Sequence, residues 1–393
     1  MNKLYYLLVF TIIAGLALGC APDEGERTAE TAETEEWETK DLSTQYHNIT
    51  VTRIVGDLER PWAVAFLPDG RKLITERPGS LKLVEDGRAT DVTGLPEIHA
   101  VNQGGLLDVS LHPNYEENGW IYLTYSQEGD DSETALTLVR GQLEGNEFVN
   151  VEELFVQNRY SSPGRHYGSR LVWDDEGYLY MSVGDRGADP PRAQDNSDHA
   201  GTLLKLNDDG TAADGNPFAD DADAAPEIFS YGHRNIQGII IHPETGDIWA
   251  TEHGPRGGDE LNLVEAGNNY GWPTASLGRD YGDDTGFHDH TETRRAEDMV
   301  DPVYELLPTH APSGLALVTS NHFPEWSGNL LAGGLRSERI RRLVIQDNEV
   351  VHDEELLLGE VGRIRDVREG PDGYIYVLTD EDPGALYVIE PND

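Results

Sequence analysis

The sequence predicts an all-β protein, a six-bladed β-propeller. Two observations lead there. Beyond residue 46 no long 3.6-residue periodicity of apolar residues appears, so helices are scarce. Over the same stretch one pattern recurs six times: small residues, an apolar strand, a turn containing Pro, Asp or Gly, then a second, aromatic-rich strand. A β-sandwich would not explain the repeated turn. Six hairpins at irregular spacing, each with room for two more strands, match six blades.

The copies follow in order. Trp62-Ala63-Val64-Ala65-Phe66 turns at Pro68-Asp69-Gly70 into Leu73-Ile74-Thr75, and Gly105 to Val109 turns at His112-Pro113-Asn114 into Trp120 to Leu123. Ser169 to Trp173 turns at Asp174 to Gly177 into Tyr178 to Met181, and Gly238 to Ile241 turns at His242-Pro243 into Ile248 to Ala250. Gly314 to Leu317 leads past Phe323-Pro324 to Leu330 to Ala332, and Arg365 to Val367 turns at Gly370 to Gly373 into Tyr374 to Leu378. Each turn is built from residues that fix φ or tolerate the left-handed region. The longer stretches, Asp280 to Arg295 and Asp208 to Ala225, read as loops on one face.

The first residues read differently. Lys3 precedes an apolar run, Leu4 to Leu18, that ends at Gly19-Cys20. This is a secretory signal, too short for a comfortable membrane span. The chain's single cysteine sits at the expected cleavage point, as in a bacterial lipoprotein, where Cys20 would carry the lipid; an ordinary signal peptide cleaved nearby is the alternative. Either reading implies an exported protein, periplasmic or at the cell surface, without a disulfide. Residues 21 to 45, rich in Ala, Thr and Glu, read as a disordered acidic tether, and 46–393 as the propeller domain.

The formal net charge is −44, from 73 acidic and 29 basic residues. Nucleic acid and anionic membrane surfaces both need a basic face and are excluded as partners. An acidic, lysine-poor surface is also what proteins of salt-loving organisms use to stay hydrated in brine, so a need for high salt is expected.

Antiparallel pairing places the start of each first strand and the end of each second strand at the same end. Residues there should line one mouth of the central channel: Gln103; Arg165 and His166; Arg234, Asn235 and Gln237; Pro312 and Ser313; Arg363 and Arg365. The returning ends add Glu76 and Arg77, Asp185 and Arg186, Glu252 to Asp259, Arg336 and Asp380. So many guanidinium groups converging in so acidic a chain imply a small polyanionic ligand. Within the mouth, Glu252-His253-Gly254-Pro255-Arg256-Gly257-Gly258-Asp259-Glu260 is a tight, oxygen-rich bend suited to a hard cation such as Ca²⁺.

Assembled in order, these residues closely resemble the quinoprotein sugar dehydrogenases, specifically the soluble aldose sugar dehydrogenases that use pyrroloquinoline quinone (PQQ). The resemblance runs from about residue 50 to the C-terminus. It rests on Gln103-Gly104-Gly105-Leu106-Leu107, His166-Tyr167-Gly168-Ser169-Arg170-Leu171, Tyr231-Gly232-His233-Arg234-Asn235 with Gln237-Gly238, Glu252 to Glu260, Asn269-Tyr270-Gly271-Trp272-Pro273, and Arg363-Ile364-Arg365-Asp366-Val367-Arg368.

The resemblance implies oxidation of an aldose at C1 to an aldonolactone, with electrons passing on to an unidentified acceptor. His166 would be the general base that takes the anomeric hydroxyl proton while hydride passes to the quinone. Arg234 would stabilise charge developing on the quinone oxygen. Gln103, Asn235 and Asp259 would hydrogen-bond the cofactor, Arg336, Arg363 and Arg365 would clamp its carboxylates, and Ser313 would add a hydroxyl. Gly254 and Pro255 would offer carbonyls to a Ca²⁺, with a second Ca²⁺ at Glu260 and the Tyr270 carbonyl. Arg165 stands where the glucose dehydrogenase branch has Asp, and His253 and Arg336 replace its Gln and Lys, which points to the aldose branch with broad sugar acceptance. Two other readings compete: a Ca²⁺-dependent propeller hydrolase of lactonase type, and a non-catalytic glycan-binding propeller. Neither has a use for a tricarboxylate clamp.

Overall fold

Each of the six hairpins forms the inner half of its own antiparallel sheet in the computed structural model, which describes residues 38–279, 281 and 291–392. The first strands are Pro61–Phe66, Leu106–Leu111, Leu171–Trp173, Ile236–Ile241, Pro312–Leu317 and Ile364–Glu369. Their partners are Lys72–Glu76, Ile121–Glu128, Leu179–Val183, Ile248–Glu252, Leu330–Gly334 and Ile375–Thr379. Two further strands complete each of the first five sheets and three complete the sixth, and the first strands pack in a closed ring, the sixth returning to the first. The fold is a six-bladed β-propeller.

The sixth blade closes the ring with the beginning of the chain. Its strand order is Thr39–Ser43, Asn48–Leu58, Gly384–Pro391, Ile375–Thr379 and Ile364–Glu369. This corrects the expectation of a disordered tether reaching residue 45. Thr39 pairs with Thr52 and Ser43 with Asn48, and Leu42 packs against the core between the fifth and sixth blades. The exposed positions on either side of Leu42 gave the segment its polar composition. Cys20 and residues 21–37 lie outside the described residues, as does most of the Asp280–Arg295 loop.

The core lies between blades, because each sheet is covered on both faces by its neighbours. All five residues of Leu179–Val183 and of Leu330–Gly334 are therefore buried. Val64, Ile74 and Val84 of the first blade meet Leu378, Leu386 and Val388 of the sixth. Outermost strands such as Arg88–Val92 are mostly exposed. The described flanks of the two long loops lie at opposite ends, which corrects the expectation of one shared face. Val183 pairs with Thr202 at the mouth and Leu179 with Leu206 at the far end, so Asp208 to Ala225 emerges away from the mouth. The connection after Glu260–Val264 doubles back instead, bridging Asn269 to Tyr231 and bringing Trp272 to the mouth.

A charge cluster fills the axis below the mouth. Asp108 and Asp366 bind Arg170 at 3.2 and 3.1 Å and Arg368 at 2.8 and 2.9 Å. Leu171 N also donates to Asp108, and Arg170 Nε to the Gln237 carbonyl. The second, third, fourth and sixth blades are thereby joined through one charged cluster.

Candidate active site

The strand directions deliver residues from every blade to one cavity of about 220 Å³. Entry loops supply Gln103, His166, Arg234, Asn235, Gln237, Ala311, Arg363 and Arg365. Returning strands supply Arg77, His253, Leu335 and Asp380, with Trp62, Tyr167 and Tyr281 completing the walls. Of the residues expected at the site, Gln103, His166, Arg234, Asn235, Arg363 and Arg365 line the cavity.

His166 is held in one orientation. Its backbone sits in the left-handed region at φ 51°, and its N–H donates to Gln103 Oε1 at 2.9 Å. Its Nδ1 lies 2.7 Å from Asp185 Oδ1. Asp185 is fully buried and also receives Gly187 N on that oxygen and Trp272 Nε1 on the other. An ionised carboxylate only accepts, so Nδ1 carries the proton and Nε2 is left with its lone pair. Burial and the nearby Arg234 hold the imidazole below its ordinary pKa, against the opposing pull of Asp185. For Asp185, burial pushes upward, but His166 and Arg234 outweigh it and hold the carboxyl low. The pair therefore consists of a neutral imidazole on a charged carboxylate near neutral pH.

Opposite lies an excess of positive charge. Four guanidinium groups, Arg77, Arg234, Arg363 and Arg365, line the cavity against one carboxylate, Asp380. Asp380 Oδ2 binds Arg363 at 2.9 Å and Arg365 at 3.1 Å. Burial pushes Asp380 up, yet Arg365, Arg363 and Arg77 together hold it below the usual carboxylate range. Arg365 Nη1 donates to Gln237 Oε1, while its Nε is buried without a partner. Arg234 Nη1 donates to the His253 carbonyl, and its Nε is likewise buried and unpartnered. Unsatisfied buried donors on two arginines fit an anion of several oxygens. Arg77 was visible in the sequence as a mouth residue, but nothing in its motif marked it for the cofactor.

Other expected residues stand behind the cavity. Asp259 is buried and spends both oxygens on backbone: Gly254 N at 3.0 Å, His310 N at 2.8 Å and Ala311 N at 2.7 Å. It therefore shapes the wall at Ala311 and His253 and does not face the ligand space. Ser313 is buried and donates to the Ile364 carbonyl at 2.6 Å. Arg336 is exposed on the turn after Leu330–Gly334, outside the cavity lining. Arg165 donates to the Gly187 carbonyl, and Arg186 is buried over the Tyr167 ring.

The Gly254–Glu260 bend has the crowding a carbonyl site requires. A Cβ on Gly254 would come within 2.2 Å of the Gly257 and Gly258 carbonyl oxygens. The Pro255 carbonyl accepts Arg279 N at 2.8 Å, which leaves one lone pair. Glu260 and Tyr270 border a separate small void with Glu252. Glu252 and Glu260 share the Asn262 amide at 2.8 and 3.2 Å. Burial, then the charge of Glu252, push the Glu260 carboxyl well above its ordinary range. Among the described residues no three His, Cys, Asp or Glu side chains form a metal cluster, so a cation here would lean on backbone carbonyls, a donor set that suits Ca²⁺.

A family model described as glucose / sorbosone dehydrogenase matches residues 58–388. The chain belongs to this family. Membership carries the coarse activity, oxidation of a sugar. The aldose sugar dehydrogenase YliI of Escherichia coli is 38% identical over 88% of this chain and 94% of its own. An uncharacterized protein of Synechocystis is 39% identical over 98% of both chains. The quinoprotein glucose dehydrogenase B of Acinetobacter calcoaceticus is 30% identical over 60% of this chain and 54% of its own. Among solved structures, the apo-form soluble aldose sugar dehydrogenase of E. coli superposes with a TM-score of 0.84, covering 88% of this chain and all of its own at 38% identity. The PQQ-bound aldose sugar dehydrogenase of Streptomyces coelicolor gives 0.70 at 27% identity, over 90% and 98% of the two chains.

Proposed function

We propose that this protein oxidises aldoses at C1 to aldonolactones, using PQQ and Ca²⁺. The reading rests on one juxtaposition: a neutral, carboxylate-held imidazole at His166 in the same cavity as four converging arginines. PQQ, when bound, supplies the two-electron acceptor for the C1 hydride, and Ca²⁺ the Lewis acid. The protein does the rest. Nε2 of His166 accepts the proton of the anomeric hydroxyl as the C1–H bond breaks, and the resulting imidazolium is stabilised by Asp185. Arg234 is fixed by its bond to the His253 carbonyl and lies over the Trp272 ring at 5.3 Å, placing a charge where an oxyanion can form. Arg363 and Arg365, braced on Asp380, would hold carboxylates, with Arg77 beside them. Gln103 and Asn235 fix the neighbouring backbone through their Oε1 and Oδ1 and leave their amide N–H groups as donors. Carbonyls of Gly254 and Pro255 would hold one Ca²⁺, and Glu260 with the Tyr270 carbonyl a second.

Adding PQQ and Ca²⁺ to apoprotein and following aldose-dependent dye reduction tests the reading. Reduction should appear only with both additions, and calcium alone should raise the melting temperature of wild type more than of Glu260→Gln. No reduction with any aldose, together with no saturable PQQ binding, overturns it. Export and lipid attachment at Cys20 are proposed from the signal alone. Palmitate labelling that survives Cys20→Ser would dismiss the anchor.

A further inference from the structure

A larger cavity, about 840 Å³, opens at the same end of the propeller but outside the arginine-lined site. Strand Ile121–Glu128 runs toward the mouth, since Ile121 pairs with Leu111 and Tyr125 with Leu106, and its last residues form this cavity's floor. His99 lines the new cavity and Gln103 the reaction cavity. Four residues of chain span at most about 14 Å, and the Gly104 N–Val101 O turn shortens that reach. The two cavities are thus neighbours separated by one loop.

Its walls combine aromatic faces with planar acceptors. The Tyr160 ring packs against Gly129, where an added Cβ would come within 2.3 Å of it, and its hydroxyl donates to Gln127 Oε1 at 3.3 Å. His99 stands 3.4 Å from Glu128, and Glu97, Asp130 and Glu133 are exposed at the rim. Neither Lys nor Arg is among the described lining residues. Anionic ligands are repelled here, and a neutral ligand with many hydroxyl donors suits carboxylate and amide acceptors beside an aromatic face.

We propose that this cavity is a saccharide subsite, holding the non-reducing residues of a neutral oligosaccharide whose reducing end lies at His166. The inference rests on the reaction proposed above and specifies its substrate: neutral oligosaccharides in preference to free monosaccharides or acidic sugars. The holoenzyme, loaded with PQQ and Ca²⁺, is assayed with a monosaccharide aldose and with its linear tetrasaccharide. KM for the tetrasaccharide should be the lower of the two. Tyr160→Ala should raise it about 5- to 10-fold, the worth of one aromatic contact, with monosaccharide constants within about twofold of wild type. Glu128→Ala, at an exposed position, should act in the same direction and serves if Tyr160→Ala folds poorly. A second measurement separates the two readings. The borohydride-reduced tetrasaccharide has no anomeric centre to oxidise, so its binding, by saturation-transfer NMR, reports the subsite alone. Alditol binding weakened by Tyr160→Ala in a protein that oxidises no aldose would uphold the saccharide site and overturn the reaction. Equal KM values for both substrates with no alditol binding, or a response to divalent cations only, would overturn the subsite.

Discussion

Trp272 donates its indole N–H to Asp185 at 2.7 Å, across 87 residues of sequence. The same carboxylate holds His166 on its other oxygen, and the same indole lies under Arg234. One side chain thus ties the candidate base to the candidate electrostatic group. It can do so because the long connection of the fourth blade doubles back, with Trp272 N on the Gly232 carbonyl and Gln194 Nε2 on the Trp272 carbonyl.

Replacing Asp185 by Asn should show what the carboxylate does. An amide can donate to Nδ1 and so move the imidazole proton to Nε2, where no base is left. We expect kcat to fall by about 10²- to 10⁴-fold, with PQQ affinity unchanged by fluorescence titration. Asp185 is the group that raises the His166 pKa against burial and Arg234. Residual activity should therefore show an acidic limb at lower pH than wild type.

Trp272→Phe keeps the ring under Arg234 and removes only the N–H. Asp185 then directs its charge more fully at His166, so the imidazolium is favoured and the acidic limb of kcat/KM moves up in pH. Loss of a hydrogen bond to a charged group predicts about a tenfold fall in kcat. An unshifted pH profile would reduce Trp272 to a packing residue.

The first two strands of every blade were legible because their alternation, turns and aromatic second strands are local signals. So was the mouth, since antiparallel pairing alone brings His166, Arg234 and Arg365 together. The ring closure was not: Thr39–Ser43 carries a mostly polar sequence, and only its pairing with Asn48–Thr52 makes it a strand. The division of labour at the site was also hidden. Asp259 and Ser313 sit at mouth positions, yet their oxygens are satisfied by backbone groups of Gly254, His310 and Ala311 and by the Ile364 carbonyl. Which way a side chain turns at a strand end is decided by tertiary partners that a motif does not record.

Asp108→Ala should be severely destabilising. It leaves two guanidinium groups, Arg170 and Arg368, to share the single carboxylate of Asp366 and leaves Leu171 N without its acceptor. Breaking a buried pair from one side costs about 3–5 kcal/mol. Urea unfolding should show a lower midpoint at unchanged slope, and a change near zero would mean that water already screens the cluster.

Acid should unfold the protein partly through His310. Its Nε2–H donates to the Ala332 carbonyl at 3.2 Å and its Nδ1 lies 2.7 Å from Ser337 Oγ, contacts that hold a neutral imidazole in a buried place. Burial, then Arg341, push its pKa down to about 3, whereas the unfolded chain titrates near about 6.5. Between those values the unfolded state binds the extra proton, so stability falls as pH drops through that window. Denaturation midpoints at pH 7, 5 and 4 should decline, and less steeply in His310→Gln.

Salt should have the opposite effect. With 73 acidic residues against 29 basic, the folded chain concentrates repulsion that the unfolded chain disperses. The screening length contracts from about 10 Å at 0.1 M to about 3 Å at 1 M salt, so repulsion between surface carboxylates separated by more than a few ångströms fades over that range. The melting temperature should climb steeply from dilute buffer to about 1 M NaCl and then more slowly, as expected for screening. KCl should reproduce the curve, while sucrose, which adds no ions, should not reproduce the steep phase. Full stability in dilute buffer, or equal stabilisation by sucrose, would show that the acidic surface governs solubility without limiting the fold.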